Sequence, residues 1–157
     1  MDTTTLRNAY RDFLTVAQGG KFTAPPAGEW TAEQLLAHIV AADTGITSIA
    51  LGVASGQRPS YDNRYSLDAW NLARLIDQSH DLAGLVELVH RRGQLLCDVA
   101  EQLTASELDT PVHCLILSGC QVMADTAQPL GRLIQGVAAV HLPRHADQLA
   151  GLRAAAA

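Results

Sequence analysis

The sequence predicts an all-α fold, a bundle of four principal helices with one irregular insert before the last of them. Its 157 residues are enough for a single domain, residues 1–157, with a substantial hydrophobic core. Hydrophobic residues make up 48% of the chain and are mainly Ala, Leu and Val, of which Ala and Leu are strong helix formers. Along most of the chain the apolar positions also recur with the period of amphipathic helices.

The first two helices have clear local signals. Apolar residues at helical spacing predict a helix over Thr3–Ala17, and a pair of glycines follows it. Thr31 is a candidate N-cap for the second helix, because Gln34 three residues later completes a capping box. From this start the second helix is predicted to run to about Ala54.

The middle of the chain alternates between polar and helical segments. Gln57–Ser66 is predicted to be a loop, since it is polar and contains turn-forming residues. A third helical stretch begins at Ser66 or Leu67 and extends to Leu103, with an interruption near Ser79–Asp81. Both a kinked long helix and two helices in tandem fit this pattern.

The last third of the chain contains the insert and the final helix. Residues typical of strands lie on both sides of Ser118–Gly119, which predicts a short hairpin within Thr110–Gln128. The last helix is predicted over about Leu130–Ala155. Pro143 lies inside it and removes one backbone hydrogen bond, so we expect a kink or a widened turn there.

The charge and the cysteines exclude several classes of protein. The net charge is −5 and Lys21 is the single lysine, which argues against a nucleic-acid partner because counterion release needs clustered basic residues. We expect a cytoplasmic, reduced protein without a membrane partner, since there is no leader pattern and no apolar run of roughly 18 residues. Cys97, Cys114 and Cys120 form no Cys-x-x-Cys motif. The Ala-rich helices make a homodimer plausible.

The histidines are the residues most informative about function. Their positions are His38, His80, His90, His113, His141 and His145. His141 and His145 are four residues apart and therefore lie on one face of the last helix, although such pairs also arise by chance. His38 lies on the apolar face of the second helix, where a lone histidine is often a core residue bonded to a carbonyl. Together the three form a constellation that leaves a metal open to water or substrate.

Three segments of this sequence resemble the DinB-like metalloprotein superfamily. These segments are Trp30–His38, Asp68–Asn71 and His141–Leu149, and the resemblance extends from about Leu6 to Arg153. The superfamily includes mycothiol-dependent maleylpyruvate isomerases and bacillithiol transferases. The resemblance implies an up-down-down-up four-helix bundle that holds one divalent metal, often zinc or nickel, on a histidine triad at one end.

By matching position, the resemblance implies His38, His141 and His145 as the ligands. It also implies an enzyme that transfers a low-molecular-weight thiol to a small electrophile, or that uses such a thiol to isomerise one. A coordinated thiol or water would have a pKa near neutrality and act as the nucleophile. The alternative is a noncatalytic metal-binding or stress-associated module.

Further polar residues are candidates for supporting the site or binding substrate. Asn71 needs a reason to lie inside a helix. Trp30 and Gln148 belong to the matching segments. Asp43, Asp68 and Asp147 lie near matching positions and fit either a proton-transfer role or, more simply, a surface carboxylate. The residues expected to support the site or bind substrate are therefore Asn71, Asp147, Gln148 and Trp30.

Other chemistry-bearing residues have simpler interpretations. Glu87 and His90 have the spacing of a di-iron ligand motif, but a second such motif is missing, so a solvated helical face is preferred. Cys97 is expected to be a small buried apolar residue. Cys114 and Cys120 are predicted to face each other across the hairpin, as free thiols or as a redox pair.

Overall fold

The computed structural model describes residues 1–153, so the predicted end of the last helix, at residue 155, lies outside the described residues. The helices are α1 (Thr4–Gln18), α2 (Ala32–Ala54), α3 (Ala69–Ser79), α4 (Leu82–Gln102), α5 (Ala105–Leu108), α6 (Leu130–Gly136) and α7 (Leu142–Gly151). The strands are β1 (Ser60–Asp62), β2 (Pro111–Ser118) and β3 (Gln121–Pro129). A 3-10 turn over Asn63–Ser66 follows β1, and a π-helical turn over Val137–His141 joins α6 to α7. The described chain is thus mostly helical, with one small sheet.

Helix α2 is the central element of the fold. It packs against α3, α4 and α7, while α1 packs against α4 and α7. The predicted capping box is present, with the Thr31 N–H donating to Gln34 Oε1 at 2.9 Å and the Gln34 N–H donating to Thr31 Oγ1 at 3.3 Å. By length and composition α2 is apolar enough to cross a membrane, contrary to our reading of the sequence, but most of it is buried inside the protein, as in a core helix.

Asp43 corrects one prediction about this helix. A surface carboxylate was preferred there, but the side chain is 0% exposed. The reason is that α2 is enclosed by neighbouring elements, so that polar positions of the helix also become buried. Asp68 is an exposed N-cap of α3, where it accepts from the Asn71 N–H at 3.0 Å, and Asp147 is exposed on α7.

The third helical stretch divides into two helices in tandem. Helix α3 ends at Ser79, and Asp81 starts α4 by accepting a hydrogen bond from the Gly84 N–H at 2.8 Å. His80 between them has a positive φ of 66°, so the chain turns sharply at the junction. The tandem alternative is therefore the one that the fold adopts.

The insert is a three-stranded sheet in the order β1-β2-β3. The predicted hairpin is confirmed, and its strands are longer than the apolar runs that indicated it. The loop prediction is wrong for Ser60–Asp62, which pairs in parallel with β2. The Asn63 side chain continues this pairing beyond β1. It donates to the Leu117 carbonyl at 2.9 Å and accepts from the Leu117 N–H at 2.8 Å, as the backbone of a paired strand residue would.

The cysteine prediction for the hairpin is also wrong. Cys114 lies opposite Thr126 and is buried, whereas Cys120 is exposed at the turn. The register of the strands, rather than the distance along the chain, decides which side chains face each other. All three cysteines are free thiols, and Cys97 is buried as expected.

A close helix contact gives a first testable prediction. A Cβ atom on Gly93 of α4 would lie 2.6–2.9 Å from ring atoms of the buried Tyr10. We therefore expect Gly93→Ala to lower the free energy of unfolding by about 1–3 kcal/mol, as overpacking does. Urea denaturation measures this. Gly151→Ala is the matched control, because nothing lies within 4 Å of its added Cβ, and equal stability of the two variants would contradict the prediction.

Candidate metal centre

The fold brings the three predicted histidines together. His38 comes from the first half of α2, His141 from the end of the π-helical turn and His145 from α7. One ring nitrogen from each lies within 4.8 Å of the others. The ring centroids are 4.7–5.0 Å apart in every pair. Three imidazoles from three separate elements therefore converge on one point.

Hydrogen bonds fix the orientation of two of these rings. His38 Nδ1 is 2.7 Å from the Ser66 carbonyl oxygen, and His145 Nδ1 is 2.6 Å from Gln148 Oε1. Because a carbonyl oxygen only accepts, each Nδ1 carries the proton in the neutral ring. The Nε2 lone pair of each ring is then free, which is how metal-binding histidines are usually held.

Burial keeps the cluster uncharged. It lowers the pKa of His145 to about 4, and the neighbouring charge of His38 adds to this effect. It lowers the pKa of His141 well below its usual value, helped by His38 and His145. The pKa of His38 is lowered by burial too, although its bond to Ser66 opposes the shift. Neutral imidazole is the form that binds metals.

The donor set fits a divalent metal. His38 Nε2 lies 2.9 Å from His141 Nε2, and the fixed tautomers of His38 and His145 leave His141 as the one ring able to donate a proton inside the cluster. The nitrogen lone pairs at this point outnumber the N–H groups that could bond to them, and a cation would satisfy these lone pairs. Imidazole nitrogens are good ligands for zinc and nickel, and three of them leave coordination positions open.

Pro143 widens the helix beside the site, as the sequence predicts. The Leu142 N–H donates to the Val137 carbonyl, five residues earlier, in the π-helical turn that ends at His141. Pro143 has no N–H for the Ala139 carbonyl, and a wider turn accommodates this loss. The ligand atoms of His141 and His145 still converge, so the proline does not separate the pair.

A cavity of about 1060 Å³ opens beside the three histidines, and all three line it. Its walls come from the segment before α2, from the β2–β3 hairpin and from the helices after it. Of the other predicted site residues, Trp30 and Gln148 lie in its walls. The centroids of the Trp30 and His38 rings are 5.0 Å apart. A site of this volume is large enough for a small organic molecule.

The remaining two candidates lie outside the cavity wall. Asp147 is exposed on α7, next to Gln148 in the chain. Asn71 donates from Nδ2 to the Tyr65 carbonyl at 3.1 Å. Tyr65 precedes Ser66, whose carbonyl accepts from His38, so Asn71 supports the turn that orients the ligand. Sequence reasoning missed Ser66, because only its backbone oxygen contacts the ring.

Comparison with known proteins identifies the family. A family model described as the DinB superfamily matches residues 3–149, nearly the whole chain. This chain belongs to the DinB superfamily. The resemblance inferred from its histidine-containing segments is thereby confirmed. No curated protein and no solved structure matches this DinB protein.

The other histidines of this DinB protein do not join the cluster. His80, His90 and His113 are exposed. Glu87 is also exposed and forms an ion pair with Arg91 at 2.6 Å, which confirms a solvated face of α4. Within residues 1–153, the triad is the one group of three or more side chains placed to hold a metal.

Gln148 provides a test of how the ring orientation affects binding in this DinB protein. We expect Gln148→Leu to weaken zinc binding by about 10–100-fold, because the partner of His145 Nδ1 is lost. Gln148→Glu keeps an acceptor and should bind zinc more tightly than the leucine variant. Competition with a chromophoric chelator measures both affinities. Asp147→Asn is the neighbouring control, and wild-type affinity in the leucine variant would contradict the prediction.

Proposed function

We propose that this protein is a metal-dependent enzyme that transfers a low-molecular-weight thiol to a small electrophile, or uses such a thiol to isomerise one. His38, His141 and His145 hold one divalent metal, zinc or nickel. In this proposal the long helices form the up-down-down-up four-helix bundle of the family, and the metal lies at one end of it. The observation that carries the proposal is the convergence of three imidazoles, two of them buried and one half-buried, at the wall of an open cavity.

The residues of the chain prepare the site before any ligand enters. The Ser66 carbonyl and Gln148 Oε1 hold the Nε2 atoms of His38 and His145 toward the common point. Burial keeps the three rings neutral and ready to bind. A bound divalent ion supplies the chemistry, since it lowers the pKa of a coordinated thiol or water to near neutrality.

The cavity favours catalysis over the alternative of a noncatalytic module. A binding module with structural histidines needs no large opening beside them. Here Trp30 packs against the His38 ring, and all three histidines line the cavity, through which a ligand can reach them. An accessible metal with open coordination positions is typical of catalytic rather than structural sites.

Metal analysis and a thiol assay test the proposal together. Protein purified without chelators and incubated with zinc or nickel should hold one ion per chain, and His141→Ala should hold none. The metal-loaded protein should accelerate the reaction of mycothiol or bacillithiol with monochlorobimane, in which the sulfur–carbon bond forms as chloride leaves. His90→Ala is the control, because it removes an exposed histidine outside the cluster. A protein without stoichiometric metal would refute the proposal.

A further inference from the structure

Two arginines line the cavity without a carboxylate partner. Arg132 of α6 and Arg144 of α7 both lie in its walls. No ion pair found among residues 1–153 includes either of them. Glu29 is the one acidic side chain among the lining residues. The wall therefore carries a net positive charge of one, in a chain whose total charge is −5.

Arg144 lies close to the histidine cluster. It lies between His141 and His145 in the chain, and all three residues line the same cavity. Its Nη2 donates to Ser118 Oγ, a neutral acceptor at the end of β2, at 3.3 Å. A guanidinium has five N–H donors in a planar fork, so most of them remain available to a ligand.

The wall near this arginine is apolar. Ile116 and Leu117 of β2 and Met123 of β3 line the cavity, and so does Val140 of the π-helical turn. Met123 is 61% exposed and Val140 is 63% exposed, which is unusual for large apolar side chains. A cavity lined mainly by apolar side chains, with a few polar groups among them, is typical of a ligand-binding site.

We propose that the cavity takes an organic monoanion, with its carboxylate on Arg144 and its apolar body against the β2–β3 hairpin. The inference rests on the proposed function, because the molecule bound is the thiol or the electrophile of that reaction. The planar guanidinium fork matches a carboxylate. Arg144 offers one guanidinium fork beside the cluster, and one such fork pairs with one carboxylate.

Paired acids and amides test this preference on the zinc-loaded protein. The probes are 3-mercaptopropionate with its amide, and 3-phenylpropionate with its amide, measured by calorimetry. We expect the wild-type protein to bind an acid about tenfold more tightly than its amide, as for a hydrogen-bonded charge. A preference in the thiol pair alone assigns the carboxylate to the thiol, and one in the phenyl pair alone assigns it to the electrophile.

Variants of the arginine identify its contribution. Arg144→Gln should bind acid and amide equally, while Arg144→Lys should keep part of the preference. Arg58→Gln removes the same charge from an exposed residue outside the cavity wall and should leave the preference unchanged. An unaltered preference in Arg144→Gln, or none in the wild-type protein, would overturn the inference.

Metal content, measured on the same samples, separates this inference from the proposed function. Stoichiometric zinc together with equal binding of acid and amide contradicts the anion site and leaves the metal centre intact. A chain without zinc contradicts the metal centre itself. Stoichiometric zinc in Arg144→Gln shows that the variant is folded and that its loss of preference comes from the missing guanidinium.

Discussion

Saturating zinc is expected to raise the melting temperature of the wild-type protein. A ligand that binds the native state at about 100 times its Kd stabilises it by about 2.7 kcal/mol. For a chain of this length that free energy corresponds to about 5–10 °C. The three histidines supply this binding energy only in the folded state, because His38 is 103 residues away from His141 in the chain and meets it only when α2 packs beside the last helix.

Removal of one ligand should abolish most of this shift. His38 is 3% exposed, so His38→Ala also leaves a cavity in the core. His141 is less buried, and His141→Ala is therefore the cleaner variant. Differential scanning fluorimetry with and without zinc measures the shift in each. His90→Ala should retain the full wild-type shift, whereas an equal shift in His141→Ala would place the zinc elsewhere.

Local signals in the sequence predicted the elements that depend on local chemistry. The start of α2 follows from Thr31 and Gln34, whose reciprocal hydrogen bonds are both present. The widened turn before α7 follows from Pro143, which has no N–H to donate to the Ala139 carbonyl in the preceding turn. The histidine spacing placed two ligands on one helix face because that periodicity is a property of the helix alone.

Features that depend on tertiary contacts were missed. Strand β1 is three residues long and exists because it pairs with β2, some fifty residues later in the chain. The Ser66 carbonyl orients His38, but a backbone oxygen has no signature in a sequence. Arg144 was not predicted, because the sequence does not show that its side chain lines a cavity or that no carboxylate pairs with it there.

The buried carboxyl group of Asp43 is expected to make the stability of the protein depend on pH. Neither of its carboxyl oxygens has a hydrogen-bond partner, and the buried hydroxyls of Tyr10 and Tyr65 are likewise without partners. Burial raises the pKa of Asp43 to about 8, while the neighbouring Tyr10 side chain acts in the opposite direction. The folded state thus holds a proton that the unfolded chain, with a carboxyl pKa of 3.8, releases.

The sign of the pH dependence follows from this difference. A raised pKa in the folded state gives stability that is complete below about pH 4 and is lost as pH rises toward 8. The three histidines act in the opposite sense, because their lowered pKa values make the folded state more stable as pH rises to about 6.5. The histidine effects are the same in wild type and in Asp43→Asn, so the difference between the two proteins isolates the effect of Asp43.

Relative to Asp43→Asn, we expect the wild-type free energy of unfolding to fall by about 1.6 kcal/mol between pH 6.5 and pH 8, because the slope of about 1.4 kcal/mol per pH unit halves at the folded-state pKa. Asp43→Asn has no proton to lose at this position, so its stability relative to wild type should increase as pH rises. Urea denaturation of metal-free protein at several pH values gives both curves, and their difference cancels every other titrating group. Asp77→Asn, at an exposed position of α3, should follow the wild-type curve. A constant difference between wild type and Asp43→Asn over this range would mean that Asp43 is not held protonated in the core.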